Sequence, residues 1–283
     1  MLHVTCDGMN PSPLTLMAAS LPRTPLRELI PSAAAAGFDA LTLWPNAWRH
    51  AIRRDGLSLT DLRGLLDEHG IAVTDVESVD DWRPATSGAG FPSTGRAEAL
   101  EVAVALGART LTTAHAAGGE LVLDRDAMAF AALCDDAAEH GLRVALEFVP
   151  FTAVPDLATA LELLRRADRP NAGLVVDLWH LARSGDAPAA LAAVPPELVC
   201  TVQLADGPRQ PRPDLIDDAV RGRLLPGTGE LPIAEGVATL RRIGVRAPIG
   251  AEVYVEAWSA RPREWAVQLF EATRAVLDPA GVR

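Results

Sequence analysis

Two runs of the chain decide the fold: Val144-Ala145-Leu146-Glu147-Phe148, and Gly173-Leu174-Val175-Val176-Asp177 beyond an amphipathic segment over Asp156–Ala167. Each run is short, apolar and bounded by turn residues, which reads as a buried strand. A strand, a helical segment and a second such strand form a unit whose strands lie parallel, joined by a right-handed crossover. The same unit recurs outward in both directions. Downstream, Val199–Leu204 leads through a long Pro/Arg-rich loop to a helix over Ile233–Ile243, and Ile249–Tyr254 to a helix over Arg263–Leu277. A helix within Trp179–Ala193 links the second quoted strand to Val199–Leu204. Upstream, strands are expected at Leu2–Cys6, Ala40–Trp44, Ala72–Glu77 and Thr110–His115. The helices between them end on Gly37, Gly70, Gly107 and Gly141, the residue that most easily closes a helix. Eight units predict an α/β chain of (β/α)8 TIM-barrel class, one domain over residues 1–283. Asp7-Gly8-Met9 follows the first expected strand where a dinucleotide-binding sheet would carry a glycine fingerprint.

All 26 Lys+Arg positions are arginine. The absence of lysine removes Schiff-base chemistry and the P-loop lysine. With 37 Asp+Glu the net charge is -11, so nucleic acid is not expected as a partner. Cys6, Cys134 and Cys200 have no C-x-x-C spacing and read as buried thiols. Met1-Leu2-His3-Val4 opens no basic-then-apolar leader, and no apolar stretch is long enough to span a bilayer. A cytoplasmic protein without a membrane partner is expected, and a homo-oligomer stays open.

In a barrel of this class the chemistry sits at the C-terminal ends of the strands. Those ends carry Asp7, Glu77, His115, Glu147, Asp177, Gln203 and Glu252, the last four from successive strands. Two glutamates, an aspartate and a glutamine amide converging on one point make an all-oxygen cage. Such a cage suits one hard divalent cation, Mn2+ or Mg2+ ahead of Co2+ or Zn2+. A helix cap or an arginine partner explains any one of these carboxylates but not four strand ends in a row.

The runs Ala145-Leu146-Glu147-Phe148-Val149-Pro150, Val176-Asp177-Leu178-Trp179-His180, Val202-Gln203-Leu204-Ala205-Asp206 and Gly250-Ala251-Glu252-Val253 carry a resemblance, as does Leu225-Pro226-Gly227-Thr228-Gly229-Glu230. Over nearly its full length the chain resembles the sugar phosphate isomerase/epimerase family of the xylose-isomerase-like TIM-barrel superfamily. The resemblance implies that Glu147, Asp177, Gln203 and Glu252 hold one divalent metal. It implies that Glu147 and Glu252 double as the acid/base pair, and that His180 hydrogen-bonds a substrate oxygen. Many members carry histidine where this chain has Gln203. Glutamine there is similar to a subset that includes 3-dehydroshikimate dehydratases. Phe148-Val149-Pro150 after Glu147, in contrast, lacks the polar groups such dehydratases tend to offer.

A cation gripping a carbonyl and the adjacent hydroxyl acidifies the C–H between them. Return of the proton at the neighbouring carbon gives an isomerase, and return on the opposite face an epimerase. Prior loss of a β-substituent gives a lyase. The leading expectation is an isomerase or epimerase of a hydroxy-carbonyl small molecule, with dehydration or β-elimination as the alternative. A non-catalytic sugar-binding barrel and a DNA-repair endonuclease rank lower, because the ligand set is complete and the chain acidic. Among weaker candidates, His115 and Glu77 are expected at the substrate. So is Arg223, the member of Arg209, Arg212, Arg221 and Arg223 nearest the Pro-Gly-Thr-Gly turn. Trp44, Trp48, Trp82, Trp179 and Trp258 all follow strand ends, whereas Trp265 reads as an outer-helix residue. Trp44 and Trp179 are expected to stack on a ring-bearing substrate such as a cyclitol, a keto-glycoside or a shikimate-like acid.

Overall fold

The computed structural model describes residues 12–79, 81–82, 94–115, 120–255 and 259–278. Eight parallel strands follow in chain order: β1 (Thr15–Leu16), β2 (Ala40–Leu43), β3 (Ala72–Val76), β4 (Thr110–Ala114), β5 (Arg143–Glu147), β6 (Ala172–Asp177), β7 (Val199–Leu204) and β8 (Ile249–Ala251). A parallel bridge between Leu14 and Ile249 joins the last strand to the first and turns the sheet into a barrel. Closure is tight at that seam. A Cβ on Gly250 would fall 1.9 Å from the Thr15 carbonyl oxygen, so only glycine lets β8 reach β1.

The helices are α1 (Leu26–Ala36), α2 (Pro45–Arg53), α3 (Leu59–His69), α4 (Arg96–Leu106), α5 (Leu123–Ala138), α6 (Leu157–Ala167), α7 (Leu178–Arg183), α8 (Leu215–Arg221), α9 (Ile233–Arg242) and α10 (Pro262–Leu277). Their ends follow local chemistry. Ser58 and Asp61 form a capping box on α3, and Gly37, Gly70 and Gly107 take left-handed geometry after α1, α3 and α4. One core of leucine, valine and alanine fills the space between sheet and helices. Among the described residues no helix is long and apolar enough to cross a membrane.

Two expectations are corrected. The first barrel strand is Thr15–Leu16, whereas Leu2–Cys6 and Asp7 lie outside the described residues. Prolines 11 and 13 precede a strand of two paired residues, too short to stand out as an apolar run. The loop after β7 also contains α8, whose start is fixed by Asp214: its carboxylate accepts from the Ile216 and Asp217 amides. Trp265 in α10 turns inward, donating from Nε1 to the Ser20 carbonyl. Cys134 and Cys200 are buried, and burial pushes both thiols up to about 12; Cys6 lies outside the described residues.

Candidate active site and metal centre

The registers Asp177↔Gln203 between β6 and β7 and Gln203↔Gly250 between β7 and β8 bring neighbouring strand ends level. Glu252, one residue past β8, is held by its amide donating to the Leu204 carbonyl at 2.8 Å. Side chains alternate along a strand, so Asp177, Gln203 and Glu147 close the barrel end while the residues two positions earlier form the layer beneath. In that lower layer Thr201 donates to buried Asp75 Oδ1 at 2.8 Å. Burial raises Asp75 to about 6, against the pull of Thr74, Thr201 and Thr110.

Asp177 works on two sides. Oδ1 accepts from the Trp179 and His180 amides at 2.7 and 3.2 Å, capping α7. Oδ2 faces the site and pairs with Arg223 Nη1 at 2.8 Å. Arg223 Nη1 also lies 3.3 Å from Glu252 Oε2, and Nη2 lies 3.1 Å from His180 Nε2. Because a guanidinium can only donate, His180 Nε2 accepts, and the neutral ring carries its proton on Nδ1. Burial, then the Arg223 charge, lowers His180 to about 4, opposed by Asp177. His180 Nε2 is 3.5 Å from Glu147 Oε1 and 3.6 Å from Asp177 Oδ2. Gln203 Nε2 donates to Glu252 Oε1 at 3.1 Å, which leaves Gln203 Oε1 buried with no hydrogen-bond partner.

Burial dominates the electrostatics, and crowding of like charge adds to it. Burial first, and then Glu252 and Asp177, raise Glu147 well above the ordinary carboxylate range. Burial raises Glu252 to about 7, with Arg223 pulling against it. Burial and then Glu252 raise Glu77 to about 8, despite the Thr42 hydroxyl and Trp44 nearby. Burial also pushes Asp177 up, but Arg223 and His180 outweigh it and hold this one carboxyl below its ordinary value. Three carboxyl groups, those of Asp177, Glu252 and Glu147, thus share the charge of Arg223, while Glu77 feels the charge of Glu252.

The donor set fits a divalent cation. Glu147, Asp177 and His180 place one ligand atom each within 4.8 Å of one another, and the unpartnered Gln203 oxygen and the Glu252 carboxylate lie alongside. A cation would offset repulsion that Arg223 alone leaves uncompensated.

The remaining candidates divide. Glu77 is buried and accepts from Trp44 Nε1 at 3.1 Å, and half-buried Trp44 lies 6.4 Å from the Tyr254 ring. Glu77 is also close enough to Glu252 for that charge to raise its carboxyl further. Trp179 is different: its side chain is 0% exposed, with the guanidinium carbons of Arg223 and Arg183 4.8 and 5.1 Å from its ring centroid. Its expected stacking on substrate is corrected to support of Arg223 from behind. His115 is buried 3.9 Å from Asp126 Oδ2 and edge-on to Trp82, so its described partners lie outside the carboxylate cluster. Trp48 is buried and donates to Glu98, and Trp258 falls outside the described residues. Arg209 pairs with Glu230, and Arg212 and Arg221 pair with Asp217, whereas Arg223 is the loop arginine that turns inward.

Sequence reasoning assigned no role to Asp75, Tyr254 or the buried Arg183–Asp218 pair, whose atoms meet at 2.8 Å. An acid inside the apolar run Ala72–Val76 was the available signal for Asp75. The other two contacts depend on loop packing.

Comparison with known proteins agrees with this geometry. The model of the family described as xylose isomerase-like TIM barrel matches residues 30–276. The 3-dehydroshikimate dehydratase of Pseudomonas aeruginosa is 30% identical over 252 residues, which cover 84% of this chain and 37% of that protein. The chain therefore spans well under half the length of that relative. The inosose isomerase of Bacillus subtilis is 27% identical over 143 residues, 50% of each protein. Among solved structures, the IolI protein with a bound zinc atom superposes with a TM-score of 0.82 at 19% identity, covering 96% of this chain and 100% of that one. With eight parallel strands closed in chain order and a family match across most of its length, the chain belongs to the xylose isomerase-like TIM-barrel family.

Proposed function

We propose that the chain is a divalent-cation-dependent enzyme that enolises a small cyclic hydroxy-ketone, with an isomerised or epimerised ring as product. One observation carries this reading: Glu77, Glu147, Asp177 and Glu252 crowd a buried barrel mouth around one guanidinium, with the Gln203 oxygen unpartnered beside them. Glu147, Asp177, Gln203 and Glu252 would hold the cation, Mn2+ or Mg2+ by the hardness of their oxygens. When bound, it supplies Lewis-acid polarisation of a carbonyl and its neighbouring hydroxyl.

The chain's own groups do the rest. Glu147 ends β5 and Glu252 lies one residue past β8, so one would take a proton from carbon and the other return it. Arg223 offers N–H donors where negative charge develops on a substrate oxygen. His180, neutral at ordinary pH, presents Nε2 beside the Glu147 and Asp177 carboxylates. Trp44 and Tyr254 supply an apolar wall for a ring face, and Glu77 a carboxyl for a ring hydroxyl. Loss of water after the same proton abstraction is a second reading, favoured by the 30% identity to a dehydratase across most of this chain.

Inosose and 3-dehydroshikimate, incubated with the protein and Mn2+ in D2O, separate the two. Deuterium at the carbon next to the carbonyl of inosose, or loss of water from 3-dehydroshikimate, each abolished by EDTA, is the expected result. Ring isomerisation supports the first reading and release of water the second. Absence of exchange and of water loss with both compounds, in protein shown to bind Mn2+, would contradict the proposal.

A further inference from the structure

Asp206 lies two residues beyond β7 and takes no part in the chemistry above. It is 2% exposed, yet among the described residues no cation pairs with its carboxylate. Oδ1 accepts from the amides of Gly207 at 2.8 Å and Leu231 at 2.9 Å, and Oδ2 from Gly227 at 3.1 Å. Its backbone exchanges two hydrogen bonds with Leu224: Asp206 N donates to Leu224 O at 2.9 Å, and Leu224 N to Asp206 O at 2.8 Å. The loop from 222 to 231 is thus tied to the end of β7 at three points. The knot is tight, because a Cβ on Gly229 would fall 2.4 Å from Asp206 Oδ1 and 2.6 Å from the Gly207 carbonyl oxygen.

We propose that Asp206 is a positioning residue that aims Arg223 into the carboxylate cluster by knotting this loop onto β7. In an extended segment neighbouring side chains point opposite ways. The Asp206–Leu224 bridge leaves Leu224 39% exposed, and Arg223, one residue earlier, is driven inward to 9% exposure. There its Nε donates to the Ala219 carbonyl at 3.1 Å, and its terminal nitrogens meet Asp177, Glu252 and His180. The loop has little regular structure of its own, so the three bonds to one carboxylate set its path. Charge-assisted bonds to backbone amides are the stronger kind. Arg223 delivered this way sits beside Asp177 Oδ2 and Glu252 Oε2, two of the oxygens assigned to the cation; the metal-based test below therefore rests on the proposed function.

Isothermal titration of Mn2+ into wild type, Asp206→Ala, Arg223→Met and the double variant tests the assignment. Removing the guanidinium removes a positive charge next to two ligand oxygens, so Arg223→Met is expected to bind Mn2+ about tenfold more tightly. Asp206→Ala, which loosens Arg223, is expected to tighten binding about threefold in the wild-type background and by less than about 1.5-fold once Arg223 is gone. Equal shifts in both backgrounds, or none in wild type, would overturn the proposal, since a loop that merely supports the fold acts independently of Arg223. If Asp206→Ala does not fold, Asp206→Asn takes its place: it keeps one acceptor but turns an amide N–H toward the Gly227 N–H. Failure of wild type to bind Mn2+ would sink the metal reading and leave this one to a metal-free measurement. By 15N NMR the Arg223 Nε–H is expected to exchange with solvent at least tenfold faster in Asp206→Ala than in wild type, and equal rates would overturn the assignment.

Discussion

Asp177→Asn is expected to weaken Mn2+ binding by at least about 1000-fold, equivalent to about 4 kcal/mol. The substitution keeps an acceptor oxygen for the Trp179 and His180 amides, so the cap on α7 survives and the change is confined to the site-facing atom. There an amide nitrogen replaces Oδ2 and points its hydrogens at Arg223 Nη1, 2.8 Å away in the wild-type geometry. A charged ligand is lost and a donor meets a donor. Equilibrium dialysis of Mn2+ beside a circular-dichroism melt reads both consequences. Loss of binding with a cooperative melt is the predicted pair, and binding within threefold of wild type would show that Asp177 is a cap alone.

Stability of the metal-free protein is expected to fall as pH rises from about 5 to about 8, and Mn2+ to abolish most of that fall. Glu77, Glu147 and Glu252 are raised in the folded state, to about 8, well above the ordinary range, and to about 7 respectively. A group with a raised folded pKa binds more protons folded than unfolded. Its contribution is complete below the unfolded value and is lost as pH climbs through the folded one. Arg223 stays charged in both states, whereas His180, lowered to about 4 when folded and at its ordinary value when unfolded, adds stability as pH rises and offsets part of the fall without reversing it. Asp177, held low, and Glu98 and Glu162, lowered to about 2 by their arginine partners, are ionised in both states across this window. Urea denaturation at pH 5.5, 7 and 8.5, with EDTA and with Mn2+, measures the slope. Metal-free stability that is flat or rises with pH would contradict the crowding of carboxyls described here.

Most of the barrel was legible because apolar runs, amphipathic segments and terminal glycines recur in phase. Val144–Phe148 and Gly173–Asp177 announce parallel strands by their length and by the polar residue that ends each one. The first strand was not legible, since Thr15–Leu16 owes its place to the seam with β8 and to Gly250, and to no pattern of its own. At the site, the strand-end rule puts Glu147, Asp177, Gln203 and Glu252 at one end of the barrel, and strand number and register are all that placement needs. It does not foresee which way the His115 and Trp179 side chains turn. A residue at or just beyond a strand end can turn into the helix layer, as His115 does toward Asp126 and Trp179 toward Arg183. Asp206 was visible only as part of a run of letters. Its role lies in three amide contacts that loop closure creates and no spacing encodes.

We propose that four oxygen-bearing side chains, from Glu147, Asp177, Gln203 and Glu252, hold one hard cation. An anomalous-scattering map from Mn2+-soaked crystals tests this most directly. The predicted result is one peak at the barrel mouth within ligand distance of an oxygen from each of the four, with Arg223 displaced from Asp177 Oδ2. A peak ligated by Glu147, Asp177 and His180 with Gln203 and Glu252 turned away, or no peak at full Mn2+ loading, would contradict it.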